Sequence, residues 1–344
     1  MKERLHYMDI AKGILILLVV WGHIDGTAFA LGYDNKVIDD IHRTINIYVA
    51  FYMPCFFVIT GFCSDFNKSL DKFIISSLKS ILLPAFIFSF IFSGAWDLFK
   101  LSNASNFLRN FVLFGGNYWF LSALFISRIL YWFINRCSAT LVTILCIVSF
   151  IVGYYLSRIP YEYEYWWYVH VLCMLPYLGL GQYLRHYNLR FDYKKIFPYS
   201  LLVYVSSLIT TVFLTREGLL QKDCFFDVPG VTLGFINLNS NMFFPLLILS
   251  ITGSLSLIGL CCHINTNIWL EYIGKNSLII YCVHGIILNK SMALISKWGG
   301  AEFGHDYWLT LSLLILSFIT SVIICIAISW IMNRKYLRYL LGKF

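Results

Sequence analysis

Long apolar runs alternate with short polar segments along almost the whole chain. Many of these runs hold about 17–25 mostly apolar residues, the length that an α-helix needs to cross a bilayer. The pattern therefore predicts an all-α, polytopic membrane protein with about ten transmembrane helices. The predicted spans are 8–29, 43–63, 73–95, 111–133, 139–157, 166–184, 197–214, 241–262, 276–296 and 308–332.

The composition agrees with this interpretation. Hydrophobic residues make up 59% of the 344 positions and charged residues only 13%, whereas soluble domains carry about 25% charged residues. A soluble protein of this kind would expose apolar patches far larger than monomers tolerate. The ten cysteines lie mostly within apolar runs, so we interpret them as free packing residues and expect no metal site.

The distribution of charge predicts the orientation. With the N-terminus in the cytoplasm, most of the 26 Lys and Arg residues fall in the inner segments, as the positive-inside rule requires. Both termini are then cytoplasmic, and the net charge of +8 reflects topology rather than nucleic-acid binding. We expect a multi-pass protein of the cell (inner) membrane, in contact with lipid, with residues 1–344 forming one membrane-embedded domain. The oligomeric state cannot be read from the sequence.

Ionisable residues inside the first span are the strongest functional signal, because such groups are costly at membrane depth. Lys12 and His23 are eleven residues apart, which on one continuous helix places them within about 20° of each other and about 16 Å apart along the axis. Asp9 lies one turn before Lys12, near the same face. One alternative is that Lys12 snorkels to the lipid surface and that His23 hydrogen-bonds a neighbouring helix. Another is that the segment is a cleavable signal peptide, although Asp9, Lys12 and His23 interrupt the apolar run that a signal peptide needs.

The ninth span carries a second polar face. Ser277, Tyr281 and His284 follow the spacing i, i+4 and i+7, so they share one side of a helix. Hydrogen bonding between helices explains Ser277 and Tyr281 equally well, whereas His284 is harder to explain in that way. At the outer end of the fourth span, Tyr118 and Trp119 are typical of an aromatic belt at the membrane surface.

Four segments together resemble membrane-bound acyltransferase family 3, the sugar O-acetyltransferases, and in particular its fucose O-acetylase-like branch. They occur in the family's order and cover nearly the whole chain. The matching segments are MDIAKG at 8–13 with Gly22 and His23, YMPCFF at 52–57 with Gly61 and Phe62, YWFL at 118–121, and YIGKNS at 272–277 with Tyr281 and His284.

The resemblance implies a donor and a catalytic group. The donor is cytoplasmic acetyl-CoA, a substrate rather than a tightly bound cofactor, although succinyl or longer acyl groups remain open. The family's essential histidine corresponds to His23, either as general base or as transient acyl carrier. Lys12 stands where the family has an arginine, which keeps the charge but loses the bidentate fork. Asp9 would orient Lys12, while Lys12, Lys72 and Lys79 would hold the phosphates of CoA.

The resemblance also implies an acceptor, a hydroxyl of a sugar in a surface or lipid-linked polysaccharide. Tyr118 and Trp119 suit stacking on a sugar, and Ser277, Tyr281 and His284 suit acceptor binding or oxyanion stabilisation. Two alternatives remain from the residues alone. A secondary transporter or flippase could relay protons through the buried His and Lys without acyl chemistry, and a structural partner in glycan assembly would need none of these groups.

Overall fold

The computed structural model describes residues 5–33, 36–92, 118–156, 166–186, 192–216, 243–264, 266–300, 303–334 and 337–341. Within these ranges the protein is helical and has no strand, only an isolated bridge between Phe303 and Asp306. The helices are α1 His6–Trp21, α2 Ile24–Ala30, α3 Lys36–Cys63, α4 Leu70–Ser77, α5 Leu83–Phe92, α6 Trp119–Ile134, α7 Ala139–Leu156, α8 Trp166–His186, α9 Tyr193–Arg216, α10 Phe243–Ile264, α11 Ile268–Lys275, α12 Ser277–Gly299 and α13 Tyr307–Met332, with a π-helical turn Leu78–Leu82 and a 3₁₀ helix Leu337–Leu341.

The prediction of an all-α polytopic membrane protein is confirmed. Among the described residues, seven helical segments are long and apolar enough to cross a membrane, and Ala50–Cys63 and Trp119–Ile134 are shorter apolar helices. The seven are His6–Ala30, Leu70–Ile91, Ala139–Leu156, Tyr193–Phe213, Leu247–Ile264, Ser277–Gly299 and Tyr307–Met332. The predicted starts of the fourth and eighth spans, 111–117 and 241–242, lie outside the described residues.

Helix α13 shows why lipid is the natural solvent of this surface. Its exposed side carries large aliphatic residues such as Ile319 and Ile323, whereas its buried side carries Ser317, Ser321 and Ser329. This is the reverse of a soluble helix, in which apolar residues face the core. The buried hydroxyls remain satisfied because each donates to a carbonyl of its own helix, so the small side chains allow close packing without orphaned polar groups.

Several boundaries differ from the prediction for local reasons. Helix α3 begins at Lys36 rather than at residue 43, so Asp39 and Asp40 belong to the helix instead of a loop. The short helix α11 is absent from the predicted spans because eight residues are too few to cross a bilayer. It is capped by Asn267, whose side chain accepts a hydrogen bond from the Leu270 amide at 3.0 Å.

The chain forms two compact units. The first contains Met1–Met53, Tyr193–Leu208 and Thr252–Arg334, and the second contains Pro54–Asp192, Ile209–Ile251 and Lys335–Phe344. Both units draw on separate stretches of sequence, so neither is a simple sequence domain. That residues 1–344 act as one functional domain stays a prediction.

In the first unit, two glycines bring helices α1 and α11 into backbone contact. A Cβ added at Gly13 would overlap the Leu270 carbonyl oxygen, and one added at Gly274 would overlap the Asp9 carbonyl oxygen. Both glycines belong to the family-like segments, MDIAKG and YIGKNS, so these two distant segments are packing partners. Glycine is required here for close approach rather than for an unusual backbone angle.

A pair of asparagines then fixes the junction between α11 and α12. Asn276 lies at this junction and donates to the Tyr272 carbonyl at 2.8 Å. Its side-chain oxygen accepts from Asn333, just beyond α13, at 2.6 Å, and Asn333 also donates to the Ser329 carbonyl at 2.7 Å. The direction in which α12 leaves α11 is therefore tied to the end of α13.

The second unit uses the same kind of glycine contact between α3 and α8. A Cβ at Gly61 would overlap the Leu178 carbonyl, and one at Gly181 would overlap the Val58 carbonyl. Gln182 reinforces the crossing, because its amide donates to the Gly61 carbonyl at 2.5 Å and to the Ser64 carbonyl at 3.0 Å. Arg185 also donates to the Ser64 carbonyl. The carbonyls at the end of α3 are thus satisfied by side chains of α8.

Replacing Gly274 with Ala should destabilise the first unit, since the added methyl group has no room beside the Asp9 carbonyl. Overpacking of this kind costs about 1–3 kcal/mol or more. Gly285→Ala on α12 is the matched control, because open space surrounds that position and alanine favours a helix by about 1 kcal/mol over glycine. Thermal unfolding of the detergent-solubilised protein should show a lower midpoint for Gly274→Ala only. Equal midpoints for the two variants would contradict the close crossing.

Candidate active site

The imidazole of His23 lies at a break in the first span. Helix α1 ends at Trp21, and α2 begins at Ile24. In a regular α-helix the His23 amide would donate to the Val19 carbonyl, but here it donates to the Val20 carbonyl at 3.3 Å. The Val19 carbonyl accepts a hydrogen bond from the His23 ring instead, with Nδ1 2.8 Å away. A carbonyl oxygen only accepts, so Nδ1 carries the proton and Nε2 presents a lone pair. This local bond fixes the ring's tautomer and orientation.

The break corrects one detail of the prediction. The alignment of Lys12 with His23 assumed a continuous helix, whereas the regular helix stops two residues before His23. The segment His6–Ala30 still forms one apolar span. Tyr48 of α3 supports the break from the neighbouring helix, since its hydroxyl donates to the Leu18 carbonyl at 3.1 Å. Tyr48 was not predicted, although Thr44, Tyr48 and Tyr52 follow the spacing i, i+4 and i+8 and therefore share one helix face.

His284 of α12 lies directly against His23. The two ring centroids are 4.8 Å apart and the planes meet at 77°, an edge-to-face contact. Nδ1 of His284 lies 2.7 Å from the Tyr281 carbonyl, so this ring too carries its proton on Nδ1. His23 is exposed, whereas His284 is buried. The structure therefore joins histidines that are 261 positions apart in the sequence.

The polar face predicted for the ninth span lies on α12. The Tyr281 ring centroid is 5.8 Å from that of His284. Ser277 is the first residue of α12 and is half-buried; it lies two turns, or about 10 Å along the axis, from His284. Of the three predicted side chains, His284 therefore makes the ring contact with His23 and Tyr281 adjoins His284. Their roles in binding an acceptor stay predictions.

At the other end of α1, ion pairs surround the glycine crossing. The Lys12 ammonium lies 2.7 Å from the buried carboxylate of Asp9. Glu271 of α11 lies 2.8 Å from Nδ1 of His6 and 3.1 Å from the ammonium of Lys275. Hydrogen bonds from His6, and next from Lys275, hold the pKa of Glu271 below its usual range. The sequence interpretation missed Glu271, His6 and Lys275, although the i, i+4 spacing of Glu271 and Lys275 is a signal for this pair.

A second imidazole–carboxylate pair lies close to His23 in sequence. Oδ2 of Asp25 in α2 is 2.6 Å from Nδ1 of His42 in α3, and the other carboxylate oxygen accepts from the Gly26 amide at 2.7 Å. The pair ties α2 to α3 beside the break. It was missed because the two residues are 17 positions apart on different helices, and only the fold brings them together.

The remaining predicted residues lie in the second unit. Lys72 on α4 and Lys79 in the π-helical turn are exposed. Tyr118 is buried, and the half-buried Trp119 places its ring centroid 4.5 Å from that of His170 on α8. His170 is a further residue that the sequence interpretation did not single out. No group of three His, Cys, Asp or Glu within the described ranges is arranged to hold a metal ion.

Comparison with known proteins decides the family. Residues 5–330 match the family described as "Acyltransferase domain". The chain belongs to acyltransferase family 3. It is also similar to the nodulation protein NolL of Mesorhizobium japonicum, with 31% identity over 130 residues. That match covers 36% of this chain and 34% of NolL, about a third of the relative's length. No solved structure gave a significant match.

Transfer of an acyl group to a hydroxyl, the reaction class of this family, needs a base for the attacking hydroxyl and a site for the acyl donor. The His23 ring offers one accepting nitrogen with a fixed tautomer, which is what a general base or a nucleophilic imidazole requires. The opposite end of α1 holds cations, but Asp9 and Glu271 balance Lys12 and Lys275 there. An anionic donor would therefore meet a paired rather than a bare positive surface.

Replacing Lys12 with Met should destabilise the protein, because the buried Asp9 carboxylate loses the ammonium that neutralises it. Removing one partner of a buried pair costs about 3–5 kcal/mol, whereas removing both is far less harmful. Lys12→Met combined with Asp9→Asn should therefore recover most of the loss. Unfolding of each variant by denaturant in mixed micelles measures its free energy of unfolding.

Lys275→Met serves as the comparison for Lys12→Met, since Glu271 keeps its bond to His6 and the loss should be smaller. If the double variant Lys12→Met/Asp9→Asn were as unstable as Lys12→Met alone, loss of the Asp9–Lys12 ion pair would not be the cause of the destabilisation.

Proposed function

We propose that this protein transfers an acetyl group from cytoplasmic acetyl-CoA to a hydroxyl of a sugar in a surface or lipid-linked polysaccharide. The observation that carries the proposal is the His23 imidazole, held by the Val19 carbonyl so that Nε2 is its reactive nitrogen. Membership of an acyltransferase family supports the reaction class. The inner cell membrane is the proposed location, because the donor then reaches the protein from the cytoplasm.

In the proposed reaction, Nε2 of His23 takes the proton of the acceptor hydroxyl as its oxygen attacks the thioester carbonyl carbon. The carbon–sulfur bond breaks, and the thiolate of CoA takes the proton from His23, so the products are the sugar ester and CoA. A two-step route through an acyl-imidazole on His23 uses the same nitrogen as nucleophile. Both routes use the His23 tautomer with its proton on Nδ1. Labelled acetyl group retained on the protein would identify the two-step route.

The donor would bind through its phosphates. Lys72 and Lys79 are exposed, so an anion can approach both from solvent. The Lys12 side chain is only 26% exposed, and its ammonium lies 2.7 Å from the Asp9 carboxylate. We propose that Lys72 and Lys79 supply most of the long-range attraction for CoA and that Lys12 adds a weaker contact.

The acceptor would bind through aromatic and hydroxyl groups. Trp119 and Tyr118 are proposed to line the path of the sugar, with Trp119 as the surface available for stacking because it is the more exposed of the two. Tyr281 and Ser277 are proposed to hydrogen-bond sugar hydroxyls beside the histidines.

His23→Ala should abolish transfer of label from acetyl-CoA to acceptor glycan in purified protein, since loss of a general base costs about 10²–10⁴-fold in rate. His305→Ala is the control, because that exposed histidine lies in the turn before α13. Both variants should insert into membranes and elute as monodisperse species like the wild type. Full transfer by His23→Ala would exclude the proposed role of this residue.

Lys72→Ala and Lys79→Ala should each raise KM for acetyl-CoA by up to about fivefold with little change in kcat, because exposed ion pairs contribute only about 0.2–1 kcal/mol. The rise in KM should become smaller at higher salt concentration, because salt screens the charges of the lysines and the phosphates. Lys297→Ala, at the far end of α12, is the matched exposed control. A change in kcat without a change in KM would argue against donor binding at these lysines.

A further inference from the structure

The two histidines in contact have the same hydrogen-bonding arrangement. His23 directs Nδ1 to the Val19 carbonyl at 2.8 Å, and His284 directs Nδ1 to the Tyr281 carbonyl at 2.7 Å. Each bond requires a proton on Nδ1. In the neutral state, both Nε2 atoms are therefore lone-pair acceptors, and neither ring can donate a hydrogen bond to the other through Nε2.

Nε2 of His284 is the unusual atom of this pair. His284 is only 6% exposed, and its Nε2 is buried without a hydrogen-bond partner among the described residues. A buried polar atom left unsatisfied costs about 1–3 kcal/mol. A packing role for the ring does not need that nitrogen, because a phenyl ring would make the same edge-to-face contact without the penalty. The atom is therefore a candidate for a bond that forms only during the reaction.

The tautomer limits what this nitrogen can do. A lone pair accepts a hydrogen bond, so neutral His284 cannot donate from Nε2 to the oxyanion of a tetrahedral intermediate. The donor that the proposed reaction creates beside it is the Nε2–H of His23, formed when His23 takes the proton of the attacking hydroxyl. The ring centroids, 4.8 Å apart, keep His284 next to the group that becomes charged.

We propose that His284 is a positioning residue whose Nε2 accepts a hydrogen bond from protonated His23, so that the two rings share one proton during acyl transfer. This inference rests on the proposed function. The proton comes from the acceptor hydroxyl, stays between the two nitrogens while the ester bond forms and the carbon–sulfur bond breaks, and leaves with the CoA thiolate. His284 stabilises the charge on His23 and takes part in no covalent step.

Two amide variants separate the two nitrogens of His284. In His284→Asn the short amide occupies the place of Nδ1 and leaves nothing at Nε2, whereas in His284→Gln the longer amide reaches the place of Nε2 and offers a carbonyl acceptor. Both are polar and of similar folding risk. We expect His284→Asn to lower kcat by about tenfold or more with KM for acetyl-CoA within about twofold, and His284→Gln to recover a large part of that loss.

His284→Phe adds a test of packing against function. The ring contact is kept and the unsatisfied nitrogen is removed, so thermal stability should equal or exceed that of the wild type while kcat falls as in His284→Asn. Gly285→Ala, at the next residue of α12 with open space around it, should leave kcat unchanged and should not lower thermal stability.

The outcomes distinguish this inference from the proposed function. Wild-type kcat in a folded His284→Phe or His284→Asn protein, with His23→Ala inactive, would overturn the shared-proton role alone. Equal losses of kcat in folded His284→Gln and His284→Asn would also overturn it, because a hydrogen-bond acceptor at the Nε2 position would then not affect the rate. Transfer that persists in His23→Ala would overturn the proposed function itself.

Discussion

The backbone contact between α1 and α11 is the constraint on which the first unit depends. Gly13 and Gly274 allow each helix to pack against a carbonyl of the other, and no side chain larger than hydrogen fits at either position. From this crossing, the Asn276 junction directs α12, and α12 brings His284 against His23. The small residues of two distant segments thus determine which chemistry-bearing residues meet. The ion pairs around the crossing, Asp9 with Lys12 and Glu271 with His6 and Lys275, neutralise charges that close packing would otherwise leave buried.

A membrane protein has little hydrophobic force to drive one helix against another, because lipid is as apolar as a leucine side chain. In this structure the helices pack closely through small residues, and through serines whose hydroxyls donate to carbonyls of their own helix. Serines on α13 bond to their own helix and leave a smooth surface for packing, and Tyr177 of α8 pairs with Ser250 at 2.6 Å inside the second unit. The unsatisfied Nε2 of His284 is one of a few exceptions among the described residues, since most buried polar groups have a partner.

The sequence predicts the helices well and their interruptions poorly, for a physical reason. Apolar run length reports transfer into lipid, so the described parts of the predicted spans are helical. Run length does not detect a break such as that at Gly22 and His23, which lies inside one apolar span. The Asp9–Lys12 pair follows from i, i+3 spacing within one helix and was foreseeable. The Asp25–His42 pair and the contact of His23 with His284 depend on packing between helices, which periodicity within a single helix cannot supply.

Lysine at position 12, where the resemblance to the family implies an arginine, is consistent with the geometry of the glycine crossing. An arginine would offer five donors in a planar fork, which suits a phosphate, whereas lysine offers a compact ammonium with three N–H groups. Asp9 takes one of these at 2.7 Å, and about a quarter of the Lys12 side chain is exposed, so the remaining donors can still meet an anion from solvent. Donor binding and helix packing would then be coupled through one ammonium. A bound phosphate would compete with a carboxylate that is buried at the crossing, and it would therefore act on the element that positions His23 and His284.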